Sequence, residues 1–204
     1  MMTITYIIIL SMSLSIIGYN VNGIRTGENY VRYLMQSADV IALSEHMLFP
    51  DNANDLKMIN SEFEVLPMCS SELNPMHKGM IFGQGGVAIG YRKTLKNVSH
   101  IKMKTDRIVG ISIGINTINL HILSVYLPQP QCRSQCFDSV LEQLHEIVQT
   151  LSATGNIVII GDMNGCLGNL AGTRGSDHIA SPNGKKLFKF SQENSLTCVD
   201  MLNV

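Results

Sequence analysis

The amino-acid sequence predicts an α/β protein, built as a two-sheet sandwich flanked by helices. Three observations predict this class: apolar strand-like runs that recur along the chain, one long amphipathic helix, and a further apolar strand directly after that helix. The composition agrees, because 204 residues with 45% hydrophobic and 15% charged side chains are enough for one sizeable core. We therefore expect a single domain over residues 14–204.

The strands are predicted from short apolar runs that are rich in β-branched residues and end at turn-forming residues. In chain order we expect a strand at 14–21, a helix at 28–37, a strand at 40–43, and later strands at 87–91, 108–115 and 120–126. The last two are expected to form a hairpin around Asn116 and Thr117. Gly83-Gln84-Gly85-Gly86 lacks the Gly-Lys-Ser/Thr of a phosphate-binding loop, so it predicts a turn before the strand at 87–91.

The clearest helix is predicted at residues 134–151, followed by a strand that ends at Asp162. Its apolar side chains recur at three- and four-residue steps, which is the spacing of one buried helical face. Thr154-Gly155-Asn156 is expected to separate the helix from the strand. The stripe predicts packing against a sheet, and its members are Phe137, Val140, Leu141, Leu144, Ile147, Val148 and Leu151.

The N-terminal residues 4–17 form a nearly uncharged apolar run that is too short to span a bilayer comfortably. No Lys or Arg precedes the run, and no small-residue cleavage pattern follows it, so the features of a signal peptide are incomplete. We expect residues 1–13 to be an apolar leader without an assigned role, and no transmembrane span. An intracellular location, including the nucleus, is expected, and the apolar run leaves secretion open.

Polar residues at the end of the last predicted strand are the most informative feature of the chain. The apolar residues 157–160 run directly into Gly161-Asp162-Met163-Asn164-Gly165. Open α/β sheets usually place their chemistry at the carboxyl ends of strands. An Asp there can take a proton from water, and an Asn can hold that water or a phosphate oxygen. The alternative is an Asx-type turn that only closes the strand.

Three earlier strands also end in polar residues. Asn20 and Asn22 follow the first strand, Glu45 follows the strand at 40–43, and Tyr126 ends the strand at 120–126. Because a rigid scaffold assembles sites from distant segments, four such strand ends predict one shared site.

These strand ends, in order, carry a family resemblance. The segments are YNVNGIR, ALSEH, SVYLP and IIGDMNG, and together they resemble the endonuclease/exonuclease/phosphatase (DNase I-like) family. GGVAIGYRK, DRIVGISI and NGKKLFKFSQENSLTCVD are most similar to the endonuclease domains of non-LTR (LINE-type) retrotransposons. The resemblance covers nearly the whole chain from about residue 14. It implies a four-layer α/β sandwich of two mixed β-sheets flanked by helices.

The resemblance also implies a role for each strand-end residue in the attack of water on a phosphodiester. Glu45 matches the family's metal ligand, and Asn20 matches the Asn beside the metal and the scissile phosphate. Asp162 matches the residue that orients or deprotonates the attacking water, and Asn164 matches its partner in holding phosphate and nucleophile. Tyr126 matches a Tyr that hydrogen-bonds the phosphate.

The implied cofactor is Mg²⁺, with Mn²⁺ as an alternative, because a hard cation bound by one or two carboxylates and waters suits phosphodiester substrates. Asn22 occupies a position where relatives carry an acidic residue or Asn, and we assign it to the substrate phosphate. Structural alternatives stay open: Glu45 as a strand-end surface residue and Tyr126 as an aromatic at the edge of the core.

The family's later acidic residue and its terminal Asp-His motif are expected to be missing, since relatives continue for several strands beyond Val204. We therefore expect a C-terminally truncated domain, incomplete in its last strands, with weakened or absent activity. One lost phosphate-site donor is typically worth about 10²–10³ in rate. Ser176-Asp177-His178 lies only a short loop beyond Asn164, so we interpret it as a chance match in a Gly-rich loop.

Three functions are consistent with the sequence. The first is a Mg²⁺-dependent endonuclease that nicks DNA, the second a phosphoesterase acting on a phospholipid or phosphoinositide headgroup, and the third a non-catalytic remnant that binds nucleic acid weakly. DNA is the expected partner, no protein partner is evident, and a monomer is expected. The net charge of −1 gives no overall attraction to DNA, so binding would depend on local basic groups. The candidates are Lys93, Lys96, Lys102, Lys104, Arg107, Arg174, Lys185, Lys186 and Lys189.

Overall fold

A computed structural model describes residues 5–9, 14–69, 83, 85–103, 105–129, 136–170 and 179–199. Over these residues the chain forms nine β-strands, four α-helices and one 3₁₀ turn. In chain order they are β1 (Thr5–Ile9), β2 (Ser15–Asn20), α1 (Ile24–Ser37), β3 (Val40–Ser44), the 3₁₀ turn (Pro50–Asn52), α2 (Asp55–Met58), β4 (Phe63–Met68), β5 (Val87–Arg92), β6 (Val98–Ile101), β7 (Ile108–Ile115), β8 (Ile118–Tyr126), α3 (Phe137–Ser152), β9 (Gly155–Asp162) and α4 (Pro182–Glu193).

The chain divides into two compact units, and the first comprises residues 1–126 and 154–162. It contains a five-stranded sheet of order β1-β2-β3-β5-β4 and a four-stranded sheet of order β6-β7-β8-β9. Both sheets are mixed, because β2 pairs with β3 and β8 pairs with β9 in parallel, whereas the other pairings are antiparallel. The predicted α/β sandwich with two mixed sheets is confirmed.

The parallel pairs determine where the strand-end residues lie. Asn20 is in register with Ser44 across β2 and β3, and Tyr126 is in register with Asp162 across β8 and β9. Parallel strands end at the same edge of a sheet. Each sheet therefore brings two of the predicted polar ends together.

Two buried cores cover opposite faces of the five-stranded sheet. Because successive side chains of a strand point to opposite faces, Ile41 and Leu43 of β3 join the core formed with α1 and α2, whereas Val40 and Ala42 join the core shared with the four-stranded sheet. A strand covered on both faces is apolar throughout, which explains the uninterrupted run that predicted it.

The C-terminal end of α1 is capped by Arg92, the last residue of β5. Its guanidinium donates hydrogen bonds of 2.8 Å to the carbonyls of Met35, Gln36 and Ala38. These are carbonyls that the helix end leaves without intrahelical partners. The contact ties α1 to β5, the strand that follows β3 in the sheet whose β2 and β3 the helix connects.

The second unit comprises residues 127–153 and 163–204 and contains α3 and α4. The stripe predicted on α3 is buried at Phe137, Val140, Leu144 and Val148. The rings of His145 on α3 and Phe190 on α4 are 6.2 Å apart in an edge arrangement, and Lys186 of α4 pairs with Asp138 of α3.

Some elements differ from the predictions. The helix predicted at 28–37 begins at Ile24, because Gly23 adopts a φ of 98° and turns the chain directly after β2. Part of the apolar N-terminal run forms β1, which pairs with β2; the assignment of residues 1–13 to a leader stays a prediction. β4, β6 and α4 were not predicted, and residues 134–135 of the predicted helix lie outside the described residues. Among the described helices none is long and apolar enough to cross a membrane.

Candidate active site

Asn20 and Asp162 meet in the first unit although they lie 142 positions apart in sequence. The Asn20 side-chain Nδ2 donates to Asp162 Oδ2 at 2.9 Å, and Asn20 Oδ1 accepts from the backbone N–H of Asn22 at 3.0 Å. With its donor and acceptor both engaged, the Asn20 amide has one defined orientation. This contact joins the end of β2 in one sheet to the end of β9 in the other.

Glu45 follows β3 and is only 5% exposed. Its φ is 56°, in the left-handed region that non-glycine residues seldom adopt. The conformation is held by backbone bonds to the start of α1, since Gly23 N donates to Glu45 O at 2.8 Å and Ile24 N donates to His46 O at 3.1 Å. Such strained residues concentrate at functional sites. Because Glu45 is buried, its interpretation as a strand-end surface residue is wrong.

The Tyr126 hydroxyl donates a hydrogen bond to the carboxylate of Glu45. Burial, followed by the negative charges of Glu45 and then Asp162, raises the pKa of Tyr126 well above its ordinary value, and Arg107 opposes the rise. The tyrosine therefore keeps its proton and acts as a donor. The Tyr126 ring packs in the core between the sheets, while its hydroxyl makes the polar contact with Glu45. A position in the core and a polar contact are therefore compatible for this residue.

Asn22 is exposed and adopts a φ of 48°, directly beside the Asn20 amide that its N–H contacts. Asn164 belongs to the second unit. There its side-chain Nδ2 donates to the carbonyl of Leu127 at 2.7 Å, and its own carbonyl accepts from Asn183 Nδ2 at 3.1 Å. The roles assigned to both residues stay predictions.

The donor set of the first unit fits a hard divalent cation. It offers the carboxylates of Glu45 and Asp162 and the carbonyl oxygen of Asn20, which are oxygen ligands that Mg²⁺ accepts together with waters. The part of the chain that the structure describes contains no cluster of three or more His, Cys, Asp or Glu suited to a metal. The residues that would hold Mg²⁺ are Glu45 and Asn20.

His46 is a structural residue directly behind Glu45. Its Nδ1 accepts from Leu48 N at 3.1 Å, so Nε2 carries the proton and donates to the Met68 carbonyl at 3.1 Å. Burial lowers the pKa of His46, outweighing the opposite effect of hydrogen bonds to the backbone of Met68 and Val87. Gly86, with a φ of 87°, lies so close that a Cβ there would be 2.4 Å from the imidazole ring. The neutral ring thus locks the turn before β5 against the segment that carries Glu45.

Arg107 was predicted to belong to a surface basic patch, and this prediction is wrong. It is 7% exposed, and its guanidinium carbon lies 5.3 Å from the centroid of the Tyr126 ring. A Cβ at Gly85 would lie 3.0 Å from a carbon at the edge of the same Tyr126 ring. An arginine at the start of an otherwise apolar strand was the signal for a buried role.

Three of the remaining basic candidates make ordinary surface contacts, and two other candidates lie outside the described residues. Lys93 donates to the Ser61 carbonyl at 2.9 Å, Lys186 pairs with Asp138, and Lys189 pairs with Glu193. Lys104, Arg174 and the Ser176-Asp177-His178 triplet lie outside the described residues.

A sandwich of two mixed sheets that gathers Asn, Glu, Tyr and Asp at its strand ends defines a hydrolase-like α/β protein with an oxygen-rich site. The chain belongs to the Endonuclease/Exonuclease/phosphatase family, whose family model matches residues 17–185. The family resemblance drawn from the sequence is confirmed, and the family is one of hydrolytic enzymes. No curated protein matches the chain.

Solved structures of similar fold include the endonuclease domain of a retrotransposon and two AP endonucleases. The endonuclease domain of TRAS1, a telomere-specific non-LTR retrotransposon, is 15% identical with a TM-score of 0.59, over 88% of this chain and 71% of that one. The AP endonuclease LMAP from Leishmania major is 14% identical with a TM-score of 0.65, over 88% and 66%. An AP endonuclease from Archaeoglobus fulgidus is 19% identical with a TM-score of 0.59, over 88% and 70%. The chain thus spans 66–71% of the length of these three proteins, and the likeness establishes the fold.

Proposed function

We propose that this chain is a Mg²⁺-dependent endonuclease that nicks DNA, of the type found in non-LTR retrotransposons. The observation that carries the proposal is the pair of contacts in the first unit, Asn20 to Asp162 and Tyr126 to Glu45. Together they connect residues from four strand ends. Asp162 can accept a proton and Glu45 can bind a cation, while Asn20 and Tyr126 are polar donors. The fold shared with the TRAS1 endonuclease domain and with two AP endonucleases supports DNA as the substrate.

In this mechanism Asp162 orients the attacking water and accepts its proton. Asn20 holds the Asp162 carboxylate by its Oδ2, so the carboxylate presents one fixed direction to the water. Tyr126, which keeps its proton, donates to the negatively charged group beside it. When bound by Glu45 and Asn20, Mg²⁺ would supply positive charge against the charge that develops on the phosphate. Asn22 offers an amide donor to the phosphate oxygens, and Asn164 keeps the phosphate-holding role that the family resemblance implies.

The test is nicking of supercoiled plasmid by the purified chain, with Mg²⁺ or with EDTA. Asp162→Asn removes the base while preserving shape, so we expect nicking to fall by about 10²–10⁴-fold, the usual contribution of general acid–base catalysis. Asp138→Asn is the matched control, because this Asp only pairs with Lys186 on the surface of the second unit. Nicking that survives both EDTA and Asp162→Asn would contradict the proposal.

Two further substrates separate the alternatives. Hydrolysis of phosphoinositide headgroups without nicking of DNA would favour a phosphoesterase on the same scaffold. Salt-dependent DNA binding by a folded chain that cleaves neither substrate would favour a non-catalytic remnant. A metal readout independent of activity is the unfolding temperature: Mg²⁺ should raise it in the wild type and not in Glu45→Gln, since a ligand stabilises only the folded state that binds it.

A further inference from the structure

In the second unit the segment that carries Asn164 is in backbone contact with the first turn of α4. A Cβ at Gly165 would lie 3.0 Å from the backbone N of Gly184 and 2.6 Å from a methyl group of Leu187. A Cβ at Gly184 would lie 1.7 Å from the carbonyl oxygen of Cys166. Two facing glycines therefore allow an approach that any other residue pair would block.

Hydrogen bonds of Ser181 also hold the segment around Cys166 to the start of α4. Ser181, the N-cap of α4, accepts through Oγ from Gly184 N and from Cys166 N, both at 3.0 Å. Its backbone N donates to Cys166 O at 2.9 Å. A single serine thus begins the helix and fixes the segment after β9 to it.

Asn183, in the same helical turn, contacts Asn164 itself. Its side chain is buried, with 7% exposure for the residue, and its Nδ2 donates to the Asn164 carbonyl at 3.1 Å. Asn164 has a φ of 44°, and its own amide is directed onto the carbonyl of Leu127 at 2.7 Å. The hydrogen bond from Asn183 therefore restrains the backbone carbonyl of Asn164, next to the Cα that carries the Asn164 side chain.

We propose that Asn183 is a positioning residue for Asn164, which it holds in the left-handed conformation that fixes the direction of the Asn164 side-chain amide. The inference rests on the proposed function, since the role of Asn164 does. Asn183 touches neither phosphate nor metal in this scheme. It acts through Asn164, with the Gly165–Gly184 contact and the Ser181 cap setting the distance between helix and segment.

The test uses Asn183→Asp in the full chain. Asp preserves the shape of Asn, but its carboxylate cannot donate to a carbonyl and repels it. We therefore expect the nicking rate of the folded variant, with folding checked by urea titration, to fall by about 10²-fold, the order of loss that misplacing a reacting group by 1 Å causes. Asn194→Asp is the matched control, because Asn194 lies at the other end of α4 and bonds to Phe190 O and His145.

A double-mutant cycle distinguishes positioning from a general structural role. Once Asn164→Ala has removed the positioned amide, adding Asn183→Asp should change the rate by less than about two-fold. Multiplicative losses in the double variant would overturn the proposal. A nicking rate of Asn183→Asp within about two-fold of the wild type would also overturn it.

A spectroscopic readout keeps this test independent of the proposed function. The side-chain amide signal of Asn164 in ¹H–¹⁵N spectra, assigned by its loss in Asn164→Asp, should shift in Asn183→Asp and stay unchanged in Asn194→Asp. If the wild type does not nick DNA, the proposed function fails, and an unshifted Asn164 signal then overturns the positioning role as well. A shifted signal in that case supports the positioning of Asn164 for whatever ligand it holds.

Discussion

Replacement of Tyr126 by Phe tests whether the hydroxyl at the site also stabilises the fold. The substitution leaves the ring in the core between the sheets and removes only the donor to the buried carboxylate of Glu45. A hydrogen bond to a charged acceptor contributes about 1.5–3 kcal/mol, and the substitution would leave the buried Glu45 without this donor. We therefore expect the free energy of unfolding, measured by urea titration at pH 7, to fall by about 1.5–3 kcal/mol.

Tyr33→Phe is the matched control for this measurement. Tyr33 is 63% exposed on α1, so loss of its hydroxyl should change the free energy of unfolding by less than about 0.5 kcal/mol. Equal stability of Tyr126→Phe and Tyr33→Phe would refute the reasoning. It would mean that Glu45 is satisfied by groups other than the Tyr126 hydroxyl, and that the contact has no energetic weight in the folded state.

Two other predictions concern the segment around Glu45. Gly86→Ala should destabilise the fold by at least about 2 kcal/mol, because it combines a positive φ with a contact of 2.4 Å to the His46 ring; Gly114→Ala, without positive φ, should cost less in the same urea titration. Burial lowers the pKa of His46 and of His121 in the folded chain, so between their ordinary value and the lowered ones the unfolded chain binds more protons. Stability should therefore fall as the pH drops below about 6.5, by up to ~1.4 kcal/mol per pH unit for each His, and equal urea midpoints at pH 7.5 and 5.5 would contradict this.

The strand ends of the site could be predicted because a buried strand leaves a strong local signal. Apolar runs that stop at Asn20, Glu45 and Asp162 mark the carboxyl ends of β2, β3 and β9 without any knowledge of pairing. The pairing itself is not local. That Asn20 bonds to a residue in the other sheet follows from the order of the strands, which periodicity does not encode.

The elements that escaped prediction have weak patterns for physical reasons. β4 contains Pro67, which lacks the N–H that a strand interior normally uses, and it lies at the edge of its sheet, where that loss is tolerated. β6 is a four-residue edge strand with exposed Ser99 and His100. α4 begins at Ser181-Pro182, a good start signal, but its buried Asn183 and Gly184 replace the apolar residues that predict a helical face.

The polar contacts of the site also fix how the two sheets align. The core between the sheets is apolar, and apolar burial is non-directional, so by itself it does not specify the position of one sheet on the other. Three directional bonds cross between the sheets: Asn20 to Asp162, Tyr126 to Glu45, and Ser124 Oγ to a β3 carbonyl at 3.3 Å. Buried polar contacts of this kind add stability only when their geometry is right, which selects one alignment. The side chains that the proposed reaction needs in fixed positions are therefore the same ones that align the two sheets. Substitutions at Asn20 or Tyr126 should change stability and rate together.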